Sequence, residues 1–451
     1  MKLSHWRILG VMVLLFLTLP ACKNSSKPLT FAQKQEILND SELFHQAFQV
    51  LTDVIVHDIF SPPVASRIYV YPCIAAYEVM AQNNINLASL EGQLNGLMET
   101  NDAKFDEKCS PEIAAVVAFL ETGKQLVFSQ EKLNEELKKL KKNLLEKGVE
   151  KRFLEASFEL GMLYAQKITT WSQKDHYAET RSATKYSFSD EPGKWIPTPP
   201  AFMEGIEPNW RKMRTMVIGE LKPFQPPAPT NFSLEKSSQF FQEILEVKNA
   251  VDTATQEQKE IAAFWDCNPY VMNVTGHTMF AAKKITPGGH WMGITSIAAQ
   301  QRQLPMKYSI EIHTLTAIAI YDAFISCWDE KYRSNLVRPE TLIQMEIDQD
   351  WKPLLQTPPF PEHTSGHSVI STTAAEILTS YFGENYAYQD DVELKYGLPT
   401  RSFDSFKAAA SEAAISRLYG GIHFRPAIEE GVIQGQKIGE YILGNIRTKM
   451  K

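Results

Sequence analysis

Between residues 331 and 423 the chain places Lys331, Arg338, His367, Arg417 and His423 at or beside the ends of apolar, helix-period runs. Ile312, Leu315, Ala319, Ala323 and Cys327 recur as on one helix face, and Lys331 falls at the end of that run. Arg338 precedes Pro339, a position biased to extended backbone, so the helix hands over to a loop. Thr357-Pro-Pro-Phe-Pro361 excludes helix. Ser365 then occupies an N-cap position ahead of Ile370, Ala374, Ile377 and Tyr381, which puts His367 in a first turn. Phe406, Ala410, Ala413 and Arg417 share a further face. Gly420-Gly421 stops that helix, and Pro426 suits the first turn of a last one through Ile442. His423 lies about 240° round an ideal helix from Arg417, so a break is required if both are to face one site. Standing just before a helix N-terminus disfavours its imidazolium and keeps it neutral and nucleophilic. A chain punctuated this way is constrained to a helical assembly that gathers helix ends at one place.

The gathered groups suit a tetrahedral oxyanion. Lys331, Arg338 and Arg417 are fixed cations, Ser365-Gly366 offers hydrogen bonds at a helix start, and His367 and His423 can handle protons. The three segments, Lys331-x6-Arg338-Pro339, Ser365-Gly366-His367 and Ser416-Arg417-x5-His423, resemble the signature of the type-2 phosphatidic acid phosphatase/vanadium haloperoxidase superfamily. The resemblance implies that Lys331, Arg338 and Arg417 hold the anion's oxygens with help from Ser365 and the Gly366 N–H. It makes His367 the general acid–base, and His423 either the nucleophile toward phosphate or the vanadium ligand. Phe360 is expected in the pocket wall, and His363 in the wall or directly behind it. Two positions depart from the pattern: Thr364 replaces a proline, and Ala427 stands where an aspartate often orients the second histidine. Glu429 or Glu430 is expected to take over that task, and the departure favours the ligand role for His423 over the nucleophile role. His290, in Thr286-Pro-Gly-Gly-His-Trp291, is read as part of a structural turn.

Length and charge bound the rest. With 451 residues, 44% of them hydrophobic, the chain can bury a large core. A net charge of −7 argues against nucleic acid as a partner. Residues 1–22 read as a lipoprotein signal: Lys2 and Arg7, a short apolar run, then Leu19-Pro-Ala-Cys22, whose Cys22 would carry lipid. The protein is therefore expected to be exported and anchored to the cell envelope, at the outer membrane if the host is Gram-negative. Residues 23–30 form a tether. Cys73, Cys109, Cys267 and Cys327 remain, with no pairing legible. The absence of alternating strands predicts an all-α fold, a helical bundle with the active site in its C-terminal half. Glu131 to Phe153 reads as one solvated amphipathic helix. An echo between residues 67–78 and 311–322 suggests two related helical halves, 31–230 and 231–451, meeting at a proline-rich stretch from Pro192 to Pro229.

The superfamily's phosphatases are single bundles, whereas its haloperoxidases carry an additional helical half. The resemblance thus favours a vanadate-dependent peroxidase acting on peroxide and halide. Hydrolysis of phosphomonoesters through a phosphohistidine is the alternative, and a lipid-anchored binding protein with a decayed site is the third reading.

Overall fold

The structure, a computed structural model, describes residues 31–83, 86–98, 109–189, 191–269, 271–275, 278–281 and 283–449. The signal segment, the tether and Cys22 lie outside the described residues. In chain order the helices are α1 (Phe31–Leu38), α2 (Glu42–His57), α3 (Pro62–Gln82), α4 (Pro111–Lys124), α5 (Gln130–Glu146), α6 (Lys151–Ser172), α7 (Tyr177–Ser182), α8 (Gln239–Asp252) and α9 (Gln256–Phe264). They continue with α10 (Pro287–Gln301), α11 (Met306–Ser334), α12 (Pro339–Glu346), α13 (Gly366–Phe382), α14 (Phe406–Tyr419) and α15 (Arg425–Asn445).

Two helices without a polar face form the centre. Residues 62–81 of α3 and 309–331 of α11 are buried throughout, as expected of helices apolar on all sides. They pack on each other, and the Thr314 hydroxyl donates to the Cys73 carbonyl at 3.0 Å. Helices α4 and α6 cover α3, while α10, α13 and α15 cover α11. One apolar cluster runs through both sets, from Leu38 to Ile446. Among the described residues α11 is the helix long and apolar enough to cross a membrane, and 94% of its apolar window is buried inside the fold.

The echoed segments are α3 and α11 themselves, and their terminal acids do the same work. Glu78 accepts from Leu90 N at 2.7 Å and Ser89 Oγ at 2.6 Å. Asp322 accepts from Met216 N, Val217 N and Ile218 N at 2.6–3.0 Å. Each buried carboxylate ties down a loop crossing its helix. The proline-rich stretch is an ordered strap rather than a free linker. Trp195 and Trp210 are fully buried. Trp195 N donates to Asn335 O, Val337 N to Gly193 O, and Ile206 N to Pro359 O, at 2.9–3.0 Å.

The architecture is all-α, with two small exceptions that the sequence reading did not foresee. Antiparallel hairpins pair β1 (Met272–Thr275) with β2 (Thr278–Ala281), and β3 (Tyr388–Asp390) with β4 (Arg401–Phe403). The helix expected from Glu131 to Phe153 is two, α5 and the start of α6, because Gly148 takes φ 91° between them. Cys73, Cys109, Cys267 and Cys327 are buried and form no disulfide.

Candidate active site

The helix boundaries fall where the punctuation requires. Ser365 caps α13, its Oγ accepting from Ser368 N at 3.3 Å. α14 ends at Gly420 and Gly421, the latter at φ 78°. α15 starts with Pro426 in its first turn, so His423 stands immediately before it. Ser365 N donates to Ala427 O at 2.9 Å and joins the starts of α13 and α15. Thr364, in the proline position, uses its hydroxyl to donate to Gln434 Oε1 at 2.7 Å. The departure from proline thus supplies a side-chain bond between the loop and α15.

Lys331, in the last turn of α11, is fully buried and donates to the carbonyls of Pro361 at 3.1 Å, Glu362 at 3.1 Å and Thr364 at 2.5 Å. Here it holds the 361–364 loop rather than presenting a free N–H to an anion. Burial pushes its ammonium down to about 8. Arg338 donates through Nε to Phe360 O and through Nη1 to Ile422 O, both at 2.8 Å. Nη1 also reaches His423 Nε2 at 3.1 Å, and the buried Nη2 has no partner. Arg417 donates through Nη1 to Trp265 O at 2.7 Å and reaches His367 Nε2 at 2.9 Å, leaving Nε and Nη2 without partners.

These contacts fix the imidazole tautomers. A guanidinium only donates, so the Nε2 atoms of His367 and His423 must be unprotonated acceptors. Burial and the neighbouring cations hold both rings well below the ordinary histidine range. His423 therefore carries its proton on Nδ1, which donates to Glu362 Oε1 at 2.8 Å. The same oxygen accepts from Phe424 N at 2.9 Å.

Glu362 is thus the orienting acid, in place of the expected Glu429 or Glu430. Glu429 is exposed beside Arg425, 3.9 Å away. The preference for the ligand role that rested on Ala427 therefore loses its ground. Sequence reasoning missed Glu362 because the acid comes from a loop sixty-one residues upstream of its histidine. Its one signal was a carboxylate between the Pro-Phe-Pro turn and the Ser-Gly-His segment. Burial raises this carboxyl to about 7.

Gly366, His367, Arg417 and His423 line one cavity of about 30 Å³, walled by Phe324, Trp328, Phe360 and prolines 62, 269, 287 and 358. Phe360 lies under both Lys331 Nζ and the Arg338 guanidinium, each 5.0 Å from its ring centre. Pro62 and Cys267 are wall residues that the sequence did not suggest. His363 does not line the cavity; its Nε2 faces Pro227 O at 3.3 Å. His290 sits in the first turn of α10 rather than in a loop turn, fully buried.

A buried N–H without a partner costs about 1–3 kcal/mol. Arg338 leaves one such nitrogen and Arg417 two, close to the cavity. An anion with several oxygens satisfies them together, so these residues fit vanadate. Helical architecture, dispersed cations and two neutral imidazoles define an oxyanion-gripping enzyme.

The comparisons with known proteins agree. Residues 311–451 match the VCPO second helical-bundle domain. A solved structure described as the first bacterial vanadium-dependent iodoperoxidase superposes with a TM-score of 0.86 at 47% identity, covering 90% of this chain and 97% of that one. Holo and apo forms of a bacterial vanadium-dependent chloroperoxidase share the fold at 14% identity, with TM-scores of 0.64 and 0.62 and 86% of this chain covered. They are covered over 93% and 94% of their own length. Among curated proteins none matches. The chain belongs to the vanadium haloperoxidase family; it is an enzyme of that class, with vanadate as its cofactor.

Proposed function

We propose that the chain oxidises iodide with peroxide. The observation that carries this reading is the pair of incompletely bonded arginines beside two neutral imidazoles in an apolar-walled cavity. Bound vanadate would activate peroxide toward attack by halide. Arg338 Nη2 and Arg417 Nε and Nη2 supply the free donors, and the α13 N-terminus at Ser365-Gly366 adds the positive end of a helix dipole. His423 Nε2 is the unprotonated nitrogen available as the metal ligand. His367 Nε2 accepts a proton from peroxide and returns it to product. Protonating it displaces the Arg417 N–H, which is then freed for the anion. The aromatic and proline wall favours a large, weakly hydrated halide, whose desolvation costs least. The relative at 47% identity, described as an iodoperoxidase, supports the same choice.

Phosphomonoester hydrolysis is the second reading. Glu362 favours it, because an oriented His423 with an unprotonated Nε2, once released by Arg338, is also a competent nucleophile. Phosphate-free enzyme should oxidise iodide only after vanadate is added, and vanadate should inhibit any phosphatase activity. Phosphate release in vanadate-free buffer with a trapped phosphohistidine, and no iodide oxidation after loading, would establish the phosphatase instead.

The sequence Leu19-Pro-Ala-Cys22 supports export and lipid anchoring. Wild-type protein should partition with membranes and Cys22→Ala should not. Equal partitioning of the two would refute the anchor.

A further inference from the structure

A second constellation adjoins the cavity and shares Cys267 with its wall. Cys267 follows α9, His290 opens α10, and Glu393 follows β3, so three separate elements converge. Each residue is at most 2% exposed. Cys267 Sγ is 3.5 Å from His290 Nδ1 and 3.7 Å from Glu393 Oε1, and the last two atoms are 3.1 Å apart. A tetrahedral ion with bonds of roughly 2.0–2.3 Å to N, O and S sets its ligand atoms about 3.3–3.6 Å apart. The three atoms already form such a face. On the far side of the ring, His290 Nε2 lies 2.8 Å from Asp390 Oδ2. That carboxylate would fix the tautomer that leaves Nδ1 free to ligate. Ile285 and Val56 cluster with Cys267, and Val392 and Tyr396 pack against them, giving a largely apolar surround.

We propose that Cys267, His290 and Glu393 form a zinc-type metal site, with Asp390 orienting the histidine. The oxyanion chemistry does not use these side chains, and the site they form leaves the fourth position of a tetrahedral ion to a water molecule. Its place gives it a task. The His290 ring stacks on Trp265, with centroids 4.7 Å apart, and the Trp265 carbonyl holds Arg417. A metal on Cys267 would fasten the 265–267 turn and, through it, the arginine that grips the anion. The competing arrangement is a metal-free imidazolium between Asp390 and Glu393, with the Cys267 thiol donating to Glu393.

The test is metal loading of the full chain after chelator dialysis, read by elemental analysis and by the spectrum of the cobalt(II) form. One zinc per chain is expected, with a thiolate-to-cobalt charge-transfer band that Cys267→Ala abolishes. Asp390→Asn should weaken zinc binding about 10–100-fold. Wild-type protein that takes up no more zinc than Cys267→Ala would overturn the proposal and leave the imidazolium arrangement. So would a cobalt form lacking the thiolate band. Should Cys267→Ala fail to fold, the wild-type cobalt spectrum decides alone. None of these readouts depends on catalysis, so they stand apart from the halide reading.

Discussion

Glu362 decides which nitrogen of His423 faces the cavity. It accepts from both the ring and the Phe424 amide, so the carboxylate fixes the tautomer and the position of the chain before α15 together. Glu362→Gln can still accept both bonds through its carbonyl oxygen and should retain most vanadate affinity. Glu362→Ala loses both and should weaken vanadate binding about 10–100-fold, as loss of a ligand's orienting partner does; equal retention by wild type and the alanine variant, measured by vanadate titration, would exclude this role. The residue also has a pH signature. Its carboxyl is raised from 4.5 to about 7, so the folded protein keeps a proton that the unfolded chain releases. Its contribution to stability is complete below pH 4.5 and lost as pH rises through 7. Glu362→Gln should therefore flatten the decline in stability between those values, measured by denaturant midpoints. His367→Ala, which removes the acid–base, should slow halide oxidation about 10²–10⁴-fold, checked by steady-state rates at saturating vanadate.

The element scale turns on how closely α15 approaches α13. A Cβ on Gly435 would meet Val369 O at 2.4 Å, and one on Gly431 would meet Ser368 Cβ at 2.8 Å and Ser365 O at 3.0 Å. Backbone rather than flexible side chain stands in the way. Gly431→Ala should cost about 1–3 kcal/mol by overpacking and lower vanadate affinity, because it wedges apart the two helix starts that frame the site. Unchanged melting and affinity would show that the helices separate freely. The helix starts themselves were legible in the sequence, since Ser365, Pro339 and Pro426 each act on the backbone locally. So were the Gly420-Gly421 stop and the convergence of the cations. The Glu362–His423 pair, the loop-holding posture of Lys331 and the two hairpins were not legible. The first two rest on contacts between distant segments, which leave no local pattern. His363 takes the place behind the wall: its neighbours in sequence enter the site while its ring turns to Pro227.

At the scale of the whole molecule, three buried cations with few counter-charges make the fold and the anion interdependent. Oxyanion at a hundred times its Kd should stabilise the chain by about 2.7 kcal/mol, read as a rise in melting temperature with added vanadate. Lys331 sets the pH dependence. Its ammonium is lowered from 10.5 to about 8, so the folded protein sheds a proton there that the unfolded chain keeps. This group's stability contribution is therefore present above pH 10.5 and lost as pH falls through 8. Vanadate-free protein should gain from this group between pH 8 and 10.5 while anion affinity declines over the same interval. A vanadate-induced melting shift that stays constant across that interval would refute the coupling.

The placement of Cys267 in the cavity wall bears on service life rather than speed. A catalyst that releases oxidised halogen is the first substance its own product meets, and sulfur is the softest target in that wall. Each turnover then risks oxidising that sulfur, and with it the metal ligand it supplies, and beyond the first step that damage is not reversed by ordinary thiols. Working lifetime is counted in cycles completed before that loss, and a swift exit for the product becomes a condition of endurance.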